Sequence, residues 1–268
     1  MSARHAGLVM LIAAIAACSG CGNSSASSNT GASGSLTVYA AASLKAAVAK
    51  AADEYAAKHA GATLTLSTDS SSALETKIEQ GAPADVFLSA DLTNPRKLVD
   101  LGMAAGDVVN FAGNSLAVIV PKGNPAGIRS PADLAKSGIK VIAAGEAVPI
   151  TMYASELAVN LASKPGYPAD FARRYSQNIV SKEDNVAAVI SKIELGEGDA
   201  AIVYASDAKA STKVLTLDVP SNANVDVTYG GVVLKSSTNG DAAKSFLSWL
   251  AGSEGQAVLA SFGFRPPS

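Results

Sequence analysis

Leu36-Thr37-Val38-Tyr39-Ala40-Ala41-Ala42-Ser43-Leu44-Lys45-Ala46-Ala47-Val48-Ala49 decides the architecture. Its opening residues carry the β-branched and aromatic side chains of a strand, and after Ser43 an alanine-rich run has the composition of a helix. Ser43 stands at the join and reads as an N-cap, its hydroxyl beside free backbone N–H groups. Further along stand Thr63-Leu64-Thr65-Leu66, Val86-Phe87-Leu88, Leu116-Ala117-Val118-Ile119-Val120, Val141-Ile142-Ala143 and Ala201-Ile202-Val203-Tyr204, each separated from the next by a helical or loop segment. That alternation predicts an α/β fold with largely parallel sheets.

Two other helix starts carry information. Ser72-Ala73-Leu74-Glu75 has the Ser-x-x-Glu form of a capping box and follows Ser70 and Ser71. A further helix begins near Asn185-Val186 and runs through Ile190 and Ile193 to a stop at Gly196. Strand-to-helix turns of this kind gather outside the carboxyl ends of parallel strands, where ligands bind. A helix amino end presents unpaired N–H donors and a partial positive charge, so it holds an anion without a cationic side chain. Burying an unpaired dianion is prohibitive, but each hydrogen bond to a charged group contributes roughly 1.5–3 kcal/mol, so several converging donors offset the desolvation. Taken one at a time, Ser43 and the Ser70 to Ser72 run read first as caps or turns.

Outward toward the amino end, Arg4 and His5 precede a short apolar run, 6–17, that closes in Ile15-Ala16-Ala17-Cys18. The run is too short to span a bilayer. Residues 1–17 read as a signal peptide, and the Ile-Ala-Ala-Cys pattern resembles the lipobox in which the cysteine is acylated. Cys18 is therefore the expected lipidation site; Cys21 has Cys18, not a branched aliphatic residue, three positions before it. Residues 18–35, almost wholly small and polar beyond the cysteines, read as a lipidated flexible tether to the outer face of the cell membrane. No transmembrane segment is visible after Leu36.

Both cysteines of the chain lie in that leader, so the body has no disulfide framework, zinc cluster or cysteine nucleophile. The formal net charge is −2 with charges interspersed, which argues against nucleic acid as a partner. There are 2 His, one of them in the leader; His59 sits in an alanine-rich helix beside Lys58, and no Gly-x-Ser-x-Gly elbow activates a serine. A hydrolase is not expected.

Several separated motifs carry a family resemblance: Val38 to Leu44; Asp69-Ser70-Ser71-Ser72-Ala73-Leu74; Gly81 to Asp91; Gly113-Asn114-Ser115-Leu116; Val148-Pro149; Val203-Tyr204-Ala205-Ser206-Asp207-Ala208; and Phe262-Gly263-Phe264. In that order they resemble the molybdate-binding proteins of bacterial ABC importers, over essentially all of Leu36 to Phe264. The resemblance implies a two-lobed type II periplasmic-binding-protein fold, each lobe a mixed, mostly parallel sheet flanked by helices, with two crossover strands. Lobe 1 is expected over 36–113 plus 223–268 and lobe 2 over 114–222, with the first crossing near Asn114-Ser115 and the return within Val219 to Val225. The implied ligand groups are the Ser43 hydroxyl and N–H, the Ser71 hydroxyl, the Ile150 and Val186 N–H groups and the Tyr204 phenol. Molybdenum or tungsten would be held only as the oxyanion, with no further cofactor, by a monomer that is not an enzyme. The implied partners are a membrane permease and its ATPase.

Two departures from the family pattern stand out. Asp69 replaces a small residue two positions before Ser71, and is expected to point away from a dianion or to cap neighbouring backbone. Ile150-Thr151 replaces Ala-Gly after Val148-Pro149, changing the backbone approach or adding the Thr151 hydroxyl as a donor. Alternatives at this stage are a binding protein for sulfate or ferric iron, the latter usually marked by paired tyrosines, and a sensor or an enzyme on the same fold.

Overall fold

The computed structural model describes residues 34–267. The signal peptide, Cys18 and nearly all of the tether therefore lie outside the described residues. Among the described residues ten strands fall into two layers. The first contains β1 (Ser35–Ala41), β2 (Thr63–Asp69), β3 (Val86–Ser89), β4 (Val109–Asn114) and β10 (Val227–Val233) in the order β2-β1-β3-β10-β4. Strand β1 pairs in parallel with β2 and β3, whereas β10 pairs antiparallel with β3 and β4, so one strand of the five runs against the rest.

The second layer contains β5 (Leu116–Pro121), β6 (Val141–Ala144), β7 (Ile179–Glu183), β8 (Ala201–Tyr204) and β9 (Val214–Leu217). Strand β5 pairs antiparallel with β8 and β9, β6 pairs in parallel with β7, and a parallel bridge from Val141 to Ala200 joins β6 to the start of β8. The resulting order, β7-β6-β8-β5-β9, repeats that of the first sheet, and again one strand, β5, is reversed. In each sheet the reversed strand is the one at a crossing: the chain leaves the first sheet from β4 through Ser115 into β5 and returns from β9 to β10.

Helices cover the sheets because strands such as β3 and β8 are apolar on both faces and buried throughout. Around the first sheet, α1 (Lys45–Lys58) and α8 (Gly240–Ala251) cover one face; α2 (Ser71–Glu79) and α3 (Thr93–Asp100) cover the other, where Leu74, Ile78, Phe87, Leu98 and Val232 form a cluster of their own. The second sheet carries α4 (Pro149–Ala162), α5 (Phe171–Gln177), α6 (Val186–Glu194) and the short α7 (Ala205–Ala210), and α9 (Ser253–Ser261) packs on α8.

The crossing point is tied by side chains that imitate strand pairing. The Asn224 amide donates to the Leu116 carbonyl at 2.9 Å and accepts from the Leu116 N–H at 2.9 Å. Gly113 exchanges two backbone hydrogen bonds with Arg265, at 2.6 and 2.8 Å. A Cβ at Gly113 would lie 2.4 Å from the Pro266 carbonyl oxygen, so this approach requires glycine.

Two local readings of the sequence are corrected. Ser43 is not a helix cap: it sits inside a single 3-10 turn, Ala42–Leu44, ahead of α1 and makes no capping hydrogen bond. The Ser72–Glu75 capping box does not form. Ser70 is the N-cap of α2, accepting from the Ala73 N–H at 3.4 Å, while Glu75 turns inward and pairs with Lys97 at 3.0 Å. The Glu75 carboxylate thus takes the Lys97 ammonium as its partner in place of the backbone N–H of the helix start. The third helix start is as expected, with Asn185 capping α6 by accepting from the Ala188 N–H and Gly196 just beyond its end at φ 75.

Candidate functional site

Ser43, Ser71, Ile150, Val186 and Tyr204 line one small cavity, walled also by Ala41, Ala42, Ser70, Ala90, Val148 and Pro149. They come from the carboxyl ends of six strands, since Ser43, Ser71 and Ala90 follow β1, β2 and β3, while Ile150, Val186 and Tyr204 follow or end β6, β7 and β8. The internal repeat of the two sheets thus brings equivalent turns face to face.

Three helices point their amino ends at the cavity. Ser71 is the first residue of α2, Val186 the first of α6 and Ile150 the second of α4, behind Pro149. First-turn N–H groups have no partner within their own helix, and proline at the helix start loses no bond. All three residues are buried, and Ser43 is half-buried.

The hydroxyls are oriented by their neighbours. Ser71 Oγ accepts from the Ala90 N–H at 3.0 Å, which leaves its proton free to donate. On the other wall, Asn114 Oδ1 accepts from the Ser115 N–H at 2.9 Å, which fixes the amide orientation, and Asn114 Nδ2 then donates to Tyr229 Oη at 3.3 Å. Tyr229 Oη lies in turn 3.1 Å from Ser43 Oγ, a hydrogen bond in which either hydroxyl can donate. Tyr204 Oη is buried and has no hydrogen-bond partner among the described residues. Burial first, with the fields of Tyr229, Tyr153, Asp207 and Asp91, raises the Tyr204 pKa well above its ordinary value, so the phenol keeps its proton. The walls carry no ionisable group other than this phenol.

The two departures resolve as follows. Asp69 does not line the cavity; its Oδ1 accepts from the Ser70 N–H at 2.8 Å and its Oδ2 pairs with Lys77 at 3.0 Å. Thr151 is also turned away, its hydroxyl donating to the carbonyls of Ala144 and Gly145 at 3.1 and 2.8 Å. Tyrosines far apart in sequence do meet: Tyr204 packs against Tyr229 and Tyr153, with ring centroids 5.7 and 6.4 Å away. Burial, the largest cause for each, raises the pKa of all three phenols above the ordinary value. Among the described residues no group of three or more His, Cys, Asp or Glu could hold a metal ion.

Sequence reasoning missed the supporting set: Ala90, which orients Ser71, and Asn114 and Tyr229, which orient Ser43. Asn114 sits at a crossing and Tyr229 before a Gly-Gly pair, but neither position signals a partner 115 residues away.

Two α/β lobes facing one another across a small cavity of hydroxyls and helix amino ends define a solute-binding protein of the two-lobed periplasmic type. The chain belongs to the bacterial extracellular solute-binding protein family, whose model matches residues 36–265. It is 34% identical over 262 residues to the molybdate-binding protein ModA of Mycobacterium tuberculosis, covering 96% of this chain and 95% of that one. It is 31% identical over 247 residues to YvgL of Bacillus subtilis, covering 91% of this chain and 92% of YvgL, whose name describes a substrate-binding lipoprotein of an ABC transporter. The Azotobacter vinelandii periplasmic molybdate-binding protein has the same fold, with a TM-score of 0.73 at 24% identity, covering 87% of this chain and all of that one.

Proposed function

We propose that this protein captures molybdate, or tungstate, on the outer side of the cell membrane and delivers it to the permease and ATPase of an ABC importer. The observation that carries the reading is the cavity's hydrogen-bond polarity. Three hydroxyls converge from both lobes beside the amino ends of three helices: Ser71 Oγ already accepts a bond and keeps its proton for a ligand, the Tyr204 hydroxyl has no partner among the described residues, and Ser43 is held by Tyr229. A fully deprotonated tetrahedral oxyanion accepts at every corner and matches that set. Phosphate, which carries a proton at neutral pH, would leave its own donor without an acceptor.

Lobe 1, 36–113 with 223–268, contributes Ser43 and Ser71; lobe 2, 114–222, contributes the Ile150 and Val186 amides and the Tyr204 hydroxyl. The ion is satisfied only when both sets meet it, so binding favours the closed form that the permease recognises. Acylation at Cys18 anchors the monomer, as the name of the Bacillus subtilis relative supports.

Calorimetric titration with molybdate, tungstate, sulfate, phosphate and ferric citrate tests the reading. Tight binding of molybdate and tungstate is expected. Heat from sulfate or ferric citrate with none from molybdate would overturn it.

A further inference from the structure

Asp69, although outside the cavity, bridges the two lobes. The mouth above the cavity is lined by Thr68 to Ser70 with Lys77 on the first lobe and by Gly145 to Val148 with Glu183 to Asn185 on the second. Across that mouth Asn185 Nδ2 donates to Asp69 Oδ1 at 3.3 Å. The same Oδ1 accepts from the Ser70 N–H, and Asn185 Oδ1 caps α6 by accepting from the Ala188 N–H at 3.1 Å. One carboxylate oxygen therefore joins the N-cap residue of α2 to the N-cap residue of α6, and the residues next in sequence, Ser71 and Val186, both line the cavity.

We propose that Asp69 is a positioning residue, a clasp that fastens the amino ends of α2 and α6 across the cleft and slows release of the bound oxyanion. The inference rests on the reading of the cavity as an oxyanion site. Hydrogen bonds between the lobes also lie at the crossing, at Leu116–Asn224 and Asn160–Ala223, and join Lys209 to Ser261 behind it, whereas the clasp acts at the mouth. Lys77, at 3.0 Å from Oδ2, offsets the charge that would otherwise repel an incoming anion. Burial pushes the Asp69 carboxyl up, but Lys77, the Ser70 N–H and the Asn185 amide together outweigh it, so the group stays ionised and an acceptor only.

The test compares Asp69→Ala with Asp69→Asn in the full chain. Both remove the charge, but asparagine keeps an acceptor oxygen for Ser70 and Asn185. Molybdate dissociation is followed by stopped flow, and the radius of gyration without ligand by small-angle scattering. One hydrogen bond of ordinary net strength corresponds to a roughly 2- to 12-fold change in rate. We expect Asp69→Ala to release molybdate faster by that factor and to be more open without ligand, with Asp69→Asn close to the wild type in both. Equal release rates and equal radii for the two variants would overturn the clasp. If wild-type protein ignored molybdate while Asp69→Ala alone scattered as a more open particle, the ligand reading would fail and the clasp would stand.

Discussion

Replacing Tyr204 by Phe should move affinity and stability in opposite directions. The Tyr204 hydroxyl is buried in a residue only 2% exposed and has no partner among the described residues, so within this fold no protein group compensates its desolvation. Removing such a group relieves a penalty of about 1–3 kcal/mol, and the ring itself still packs against Tyr153 and Tyr229. For a protein of this size, each 1 kcal/mol raises Tm by about 2–4 °C. The bound state loses a hydrogen bond to a charged ligand, worth roughly 1.5–3 kcal/mol, which weakens binding about 10- to 150-fold. Differential scanning calorimetry without ligand and molybdate titration of the same sample read the two effects separately. Unchanged affinity, or a ligand-free Tm that falls along with it, would refute the reasoning, because either result means that the hydroxyl serves the fold rather than the ion.

Other perturbations have distinct signatures. Ser71→Ala should weaken binding by a similar factor and, unlike Tyr204→Phe, also lower stability by about 1–3 kcal/mol, since the buried Ala90 N–H loses its acceptor; denaturant titration checks the second part. Asp207 Oδ2 is buried without a partner, and burial raises its pKa from 3.8 to about 7. A folded-state pKa above the unfolded one costs nothing at low pH and removes stability as pH rises through that window, by about 1.4 kcal/mol per unit at most. Tm should therefore fall between about pH 4 and pH 7 and level off above, and Asp207→Asn should flatten that fall; a parallel decline in the variant would exclude Asp207 as its source. Gly113→Ala forces a Cβ against the Pro266 carbonyl and should lower the denaturation midpoint by the equivalent of about 1–3 kcal/mol as the Arg265 pairing opens.

The strand-to-helix alternation was legible because burial on both faces demands uninterrupted apolar runs such as Val86-Phe87-Leu88 and Ala201-Ile202-Val203-Tyr204, and periodicity is a local property of the chain. The amino ends carrying Ser71 and Val186 were legible for the same reason: a helix start is written in a few adjacent residues. Local reading failed where a distant partner outbid the near one. Ser43 looked like a cap, yet its oxygen is held by Tyr229, 186 residues away. Glu75 looked like half of a capping box, yet Lys97 takes it. By itself the sequence determined which segments become strands and helices and which turns carry hydroxyls and free amides, because those depend on neighbours along the chain. Only the tertiary structure decided that the turns of two sheets meet in one cavity, which neighbours hold Ser43 and Ser71, and that Asp69 turns from the cavity toward Ser70, Lys77 and Asn185. Those outcomes depend on which unsatisfied groups the fold brings within 3 Å or so of one another, and spacing along the chain does not encode that distance.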